Sequence, residues 1–204
     1  MKLLISGILL ICLFNSTNAQ QSDVWTEVDR KYLLENLVRS REELIKEVEG
    51  LSKAQWSFKE SPDRWSINEI VEHIAIWEML LDHEISRGLR AGPQVALIKD
   101  ALTDSEYVGF IMEEKKHHSP DYTKPFTFTV PMGLNDIRSN MAWFLKMRNE
   151  SVDYVTSTKD NLRVHFMKAG RGSTHQTYIT LFGHTDRHLR QIRNVKQHPN
   201  YPKS

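Results

Sequence analysis

Four stretches of the chain repeat apolar residues at three- and four-residue steps, a period that commits each to an amphipathic helix with one buried face. The first runs from Trp25 through Val28, Tyr32, Leu37, Leu44, Ile45 and Val48, with Arg, Lys and Glu between them, and ends near Gly50. The second opens at Ser66-Ile67-Asn68-Glu69, where a serine and a glutamate three residues later form a capping-box pattern. Ile70, Val71, Ile74, Trp77, Leu80, Leu81 and Ile85 give it a wide apolar face, closed by Gly88 and Gly92-Pro93. A third spans about Leu134 to Val155 and carries Ile137, Met141, Phe144, Leu145, Val152 and Val155 inward. The fourth is capped by Ser173-Thr174-His175-Gln176 and continues through Tyr178, Leu181, His184, His188, Ile192 and Val195 until His198-Pro199 stops it. Four such helices predict an all-α four-helix bundle whose inward stripes meet in one core. Residues 93–132 form a long connection, with a short helix from about Asp104 to Lys116 and then Pro120, Pro125 and Pro131 in extended chain. A link of that length suits a crossover between the second and third bundle helices rather than a tight hairpin.

Residues 1–19 read differently, as an export signal. Lys2 supplies the positive start, Leu3 to Phe14 an almost unbroken apolar run, and Thr17-Asn18-Ala19 a small-residue cleavage site before Gln20. The run is about a dozen residues, whereas a spanning helix needs about 20, so no stable membrane span is expected. Ile11 precedes Cys12 where lipoprotein processing wants a small residue. Cys12 is the one cysteine, so a chain beginning at Gln20 has neither disulfide nor thiol nucleophile and relies on its core in an oxidising compartment. Periplasmic or secreted localisation follows as the expectation, with residues 20–204 forming one domain. Losing Lys2 from the 27 basic residues balances them against the 26 acidic ones. Nothing in that balance favours nucleic acid held by phosphate neutralisation.

The chemistry lies in the histidines. His73 sits on the apolar face of the second helix, one turn from Trp77, and His184 and His188 are four residues apart in the fourth. A four-residue step turns only about 40° around a helix, so both rings leave one face with Cβ atoms roughly 5–6 Å apart. Taken singly, each has a plainer reading: a His-x-x-x-His pair as surface or structural histidines, and His73 as a satisfied core residue. Facing stripes of a bundle put all three where they could converge, and three convergent imidazoles would make a metal site. Neutral imidazole suits zinc, nickel, copper or iron, and three protein nitrogens leave at least one position for water or substrate. An ion there would lower the pKa of a bound water toward about 7, polarise a substrate oxygen, or take a substrate thiolate.

Two motifs carry a family resemblance. Trp65-Ser66-Ile67-Asn68-Glu69-Ile70-Val71-Glu72-His73-Ile74 resembles the first motif of the DinB-like metal-binding four-helix bundles, where a histidine follows a Trp-Ser helix start. Gly183-His184-Thr185-Asp186-Arg187-His188-Leu189-Arg190-Gln191-Ile192 resembles their last, a His-x-x-Arg-His pair followed by Gln-Ile. Lys115 to Pro125 is similar to the connection in that family, and the likeness runs over residues 25–198. It implies four helices with a long crossover and one divalent ion, zinc or nickel, on His73, His184 and His188. It implies no single reaction: some relatives are thiol transferases using low-molecular-weight thiols, and others act on other small molecules. The export signal sets this chain apart from cytoplasmic members.

Residues around the site divide by geometry. Asp186 is two positions from each histidine, about 200° around the helix, and is expected to face away as an ion-pair residue. Glu69 is assigned to the cap, so no carboxylate ligand is expected. Gln191 and Thr180 are candidates to support the ligands, and Trp77, Tyr178 and Phe144 to wall a pocket, with ordinary bundle packing as the plain alternative. Arg187, Arg190, Arg193 and Lys196 read as a solvated basic stripe favoured by the helix C-terminus. His117-His118 offers too few fixed donors for a site. Two functions fit: a metal-dependent small-molecule transferase or hydrolase, and a non-catalytic metal- or ligand-binding bundle. The expected partner is a small molecule, and a homodimer is the assembly left open.

Overall fold

The computed structural model describes residues 23–113, 128–166 and 172–203. Among these residues six helices follow in order: α1 Glu27–Val48, α2 Lys53–Trp56, α3 Ile67–Arg90, α4 Asp104–Met112, α5 Ile137–Ser157 and α6 Thr174–Lys196, with a 3-10 segment Val95–Asp100 before α4. The described residues hold no strand, only one isolated bridge between Phe166 and Ser173. No described helix is long and apolar enough to cross a membrane. Residues 1–19, read above as an export signal, and His117-His118 lie outside the described residues.

Helix starts are fixed locally. Thr26 with Asp29, Ser52 with Gln55, Ser66 with Glu69, Thr103 with Glu106 and Ser173 with Gln176 all close reciprocal capping boxes. Each pair satisfies two amides that a helix N-terminus leaves without an intrahelical acceptor. The cap hydroxyl alone is worth about 1 kcal/mol.

The four long helices form the all-α bundle. Near their starts, Asn140 donates to Asn68 at 3.0 Å, and equally far along, Arg148 meets Glu78, so α3 and α5 run side by side in the same direction. Trp25 reaches His175 and Lys196 reaches Glu47, which makes α1 and α6 the second parallel pair. The pairs are antiparallel to each other: Arg30 bonds near the end of α5 and Arg41 bonds Asn149 at 2.7 Å, one helix rising as the other falls. A parallel α3–α5 pair requires the intervening chain to return to the end where α3 starts. Residues 114–127 of that connection lie outside the described residues.

Within the bundle, apolar burial occurs in two layers, and Ile98, Val164 and Phe166 form a third, smaller cluster. Leu44, Ile70, Val71, Ile74, Phe144, Leu189 and Ile192 fill one, and Leu33, Leu37, Leu81, Ile85, Val155, Tyr178 and Ile179 the other. Between them lies a charge. Arg148 of α5 is fully buried, with Nε on Glu78 Oε2 at 3.0 Å and Nη2 on Glu78 Oε1. Its other N–H groups reach Ser40 Oγ at 2.6 Å and the Leu37 carbonyl at 3.1 Å on α1, and Thr185 Oγ1 at 3.0 Å and the Leu181 carbonyl at 3.1 Å on α6. One guanidinium therefore joins all four helices. Burial pushes the Glu78 carboxyl up, and the adjacent guanidinium opposes that shift.

The structure corrects the inward register in two helices. Val28 and Tyr32 of α1 are exposed, and the buried positions are Leu33, Leu37, Ser40 and Leu44. On α5, Arg148 and Ser151 occupy the inward stripe, while Leu145 and Val152 are only half-buried at its edge. The short helix α4 stops at Met112, with Glu113 already extended, short of the expected Lys116. It packs on α6 at Gly183, where a Cβ would stand 3.0 Å from Ile111 Cγ2. That close approach brings α4 beside the turn carrying His184.

Candidate metal centre

His73 leaves α3 and His184 and His188 leave α6, and the three rings converge. Their candidate donor atoms all lie within 4.8 Å of one another. Ring centroids are 5.1 Å apart for His73 and His184, 4.8 Å for His73 and His188, and 4.4 Å for His184 and His188. His188 is almost fully buried, His73 nearly so, and His184 half-buried. The cluster therefore has an interior side and a more accessible one.

Hydrogen bonds to the ring backs decide which nitrogens face the centre. His73 Nδ1 lies 2.6 Å from the Thr129 carbonyl, which has no proton to give, so Nδ1 is the protonated nitrogen and Nε2 keeps its lone pair. His188 Nδ1 likewise donates to Gln191 Oε1 at 2.9 Å, as the sequence suggested for that glutamine. His188 Nε2 then faces His184 Nε2 at 3.1 Å. Two nitrogens on one tetrahedral zinc, each at about 2.0–2.1 Å, would stand about 3.3–3.4 Å apart. The spacing observed is within a small adjustment of that, and the donor set fits a divalent transition ion.

Electrostatics favour the neutral form of His73. Burial lowers its pKa to about 4, with the Thr129 carbonyl working in the opposite direction and the charge of Arg187 adding to the fall. A buried histidine with a depressed pKa contributes stability that is complete above its ordinary value of 6.5 and is lost as the pH falls toward 4. Acid therefore opposes folding at this residue, and would oppose its use as a metal ligand.

Tryptophans enclose the cluster. Trp65 packs 4.7 Å from the His73 ring and lies roughly parallel to His188 at 6.4 Å, and Trp77 stands 5.5 Å from His184 and 6.3 Å from His73. Trp77 was an expected wall residue, whereas Trp65 carried a helix-start motif and was not assigned to the wall. Tyr178 instead lies in the other apolar layer, and Phe144 is core, beneath the Arg148 guanidinium at 5.1 Å. Thr180 bonds the Gln176 carbonyl and the Tyr107 hydroxyl rather than one of the three histidines.

The charged neighbours are accounted for elsewhere. Asp186 takes both Arg39 Nη atoms at 2.9 and 2.7 Å on the α1 side. Glu69 accepts from the Ser66 backbone and from Lys59, both at 2.7 Å, completing the cap. The basic stripe is less solvated than expected: Arg193 pairs with Glu43 and Glu47, Lys196 with Glu47, and Arg190 approaches the Met112 sulfur. A backbone segment, Phe128–Asn135, also lies against α3 beside His73. No periodic signal in the sequence marked it.

Known proteins share this architecture. A solved structure, YfiT from Bacillus subtilis, described as "a probable metal-dependent hydrolase with an unusual four-helix bundle topology", superposes with a TM-score of 0.52 over 89% of this chain and 94% of its own, at 10% sequence identity. At that identity the shared property is the fold. No curated protein matches the sequence. The family model of the DinB superfamily matches residues 36–192, a span that contains all three clustered histidines and most of the bundle. The chain belongs to the DinB superfamily.

Proposed function

We propose that the protein is a metal-dependent enzyme acting on a small molecule, a hydrolase or group transferase, with His73, His184 and His188 holding one divalent ion, zinc or nickel. The supporting observation is that Nδ1 of both His73 and His188 is engaged from behind, leaving Nε2 of each for the centre. When bound, such an ion supplies Lewis acidity toward an oxygen or sulfur ligand in the position that three imidazoles leave open. The chain itself supplies orientation and shape. The Thr129 carbonyl and Gln191 hold two rings, while Trp65 and Trp77 offer apolar faces against which a substrate can be placed beside the donors. The described three-histidine group contains no carboxylate, so ligation leaves the ion's positive charge uncancelled by protein. An anionic or polarisable substrate atom is the natural fourth ligand.

Elemental analysis of protein purified without chelator is expected to find close to one zinc or nickel per chain. A broad hydrolase and thiol-transfer screen should then give activity with wild type and none with His188→Ala. Equal turnover by both would sink the enzymatic reading, and stoichiometric metal without turnover would favour a binding protein. Export belongs to the same proposal: expressed with its leader in a Gram-negative host, the protein should begin at Gln20. An intact Met1 on N-terminal sequencing would overturn that part.

A further inference from the structure

Glu72 precedes His73 and points elsewhere. Successive helical residues are about 100° apart, so the two side chains cannot both face the histidine centre. Glu72 is buried nonetheless, and its oxygens accept two consecutive backbone N–H groups, Met132 N at 3.2 Å on Oε1 and Gly133 N at 2.7 Å on Oε2. Asn68, one turn earlier, donates to the Asn135 carbonyl at 2.8 Å. Three residues before Met132, the buried Thr129 offers the carbonyl that accepts from His73 Nδ1. Phe128–Asn135 is thus a strap fastened to α3 at Asn68, Glu72 and His73. Gly133 lets it turn, adopting φ +66 close to the Glu69 side chain.

We infer that Glu72 is a positioning residue for the metal centre: by clamping Met132 and Gly133 it places the Thr129 carbonyl, and that carbonyl fixes the tautomer and angle of the His73 ring. The chemistry asks for a carboxylate at this position. The two N–H donors approach different oxygens, and a carboxylate accepts at both, whereas an amide turns one of them into a donor. Charge-assisted bonds to backbone amides are also stronger than neutral ones, which suits a strap that has no helix or sheet of its own. Outer partners of ligating histidines hold the ring and its proton in this way. The effect on metal rests on the three-histidine reading, but the effect on the His73 tautomer does not.

The test uses the full domain carrying Glu72→Gln, an isosteric change that sets an NH2 group against a backbone N–H. In metal-free wild type, 15N-edited imidazole NMR should show His73 protonated on Nδ1, and in Glu72→Gln a mixture of tautomers. Zinc affinity, measured by competition with a chromophoric chelator, should fall about 10- to 100-fold. Glu72→Asp, with the charge kept but withdrawn by one methylene, should lie between the two and carries the same measurements if the glutamine variant does not fold. An unchanged His73 tautomer in the substituted protein would overturn the inference even if zinc binds tightly to wild type. Failure of wild type to bind zinc or nickel would instead remove the metal reading and leave the tautomer result to decide the role of Glu72.

Discussion

Replacing His73, His184 or His188 with alanine is expected to abolish stoichiometric metal binding, whereas Asp186→Ala keeps it. Each histidine removal leaves two nitrogen donors in a pocket shaped for three, so the loss should exceed the about 10- to 100-fold cost of removing an outer partner alone. Asp186 is a clean control because it lies within the same motif but holds Arg39 on the α1 side. Its loss removes a partly exposed ion pair, worth about 1 kcal/mol or less, and no donor. Competition titration with zinc, together with circular dichroism to confirm the fold, separates these outcomes. Acid should mimic the histidine variants, because protons and metal compete for the same lone pairs. Equal loss of zinc in folded Asp186→Ala would contradict the geometry of the site.

The sequence announced the bundle through features that act within a few residues of one another. Ser66 with Glu69 and Ser173 with Gln176 gave the starts of the two helices that carry the histidines, and both boxes close as expected. The His184–His188 step was legible for the same reason, since helical geometry alone puts the two rings on one face. Convergence with His73 depends on how α3 packs against α6, and family resemblance supplied what spacing could not. Glu72 and the strap escaped notice because an acceptor for backbone N–H groups leaves no periodic trace, and the strap residues are 60 and 61 positions away.

The buried ion pair was missed for a more instructive reason. Glu78 lies four residues after Ile74 and three before Leu81, on the apolar stripe of α3, and Arg148 lies four after Phe144 on that of α5. Tracing the α5 face through Leu145 and Val152 stepped around the arginine. Opposite charges at core positions of two helices were the available signal, because neither is stable inside a bundle without the other. A charge that interrupts an apolar stripe is thus a question about its partner rather than noise in the pattern.

That partnership should also be the most costly single interaction to break outside the histidine centre. Arg148→Met is expected to lower unfolding free energy by about 3–5 kcal/mol, and Glu78→Leu by a similar amount, because each strands the other charge in a site closed to water. The remaining contacts show where the cost arises. Without the guanidinium, Ser40 Oγ still donates to the Leu37 carbonyl at 3.3 Å and Thr185 Oγ1 to the Leu181 carbonyl at 2.9 Å, so neither hydroxyl is left without a bond. Glu78, by contrast, loses both bonds that Arg148 donates to it. The double variant Arg148→Met with Glu78→Leu should therefore be more stable than the sum of the single losses allows, and close to or above either single variant, since apolar side chains would join the two flanking core layers. Urea unfolding of the four proteins supplies the cycle. Losses below about 1 kcal/mol in both single variants, or simple additivity in the double, would show that the pair is not the tie between the helices that its geometry describes.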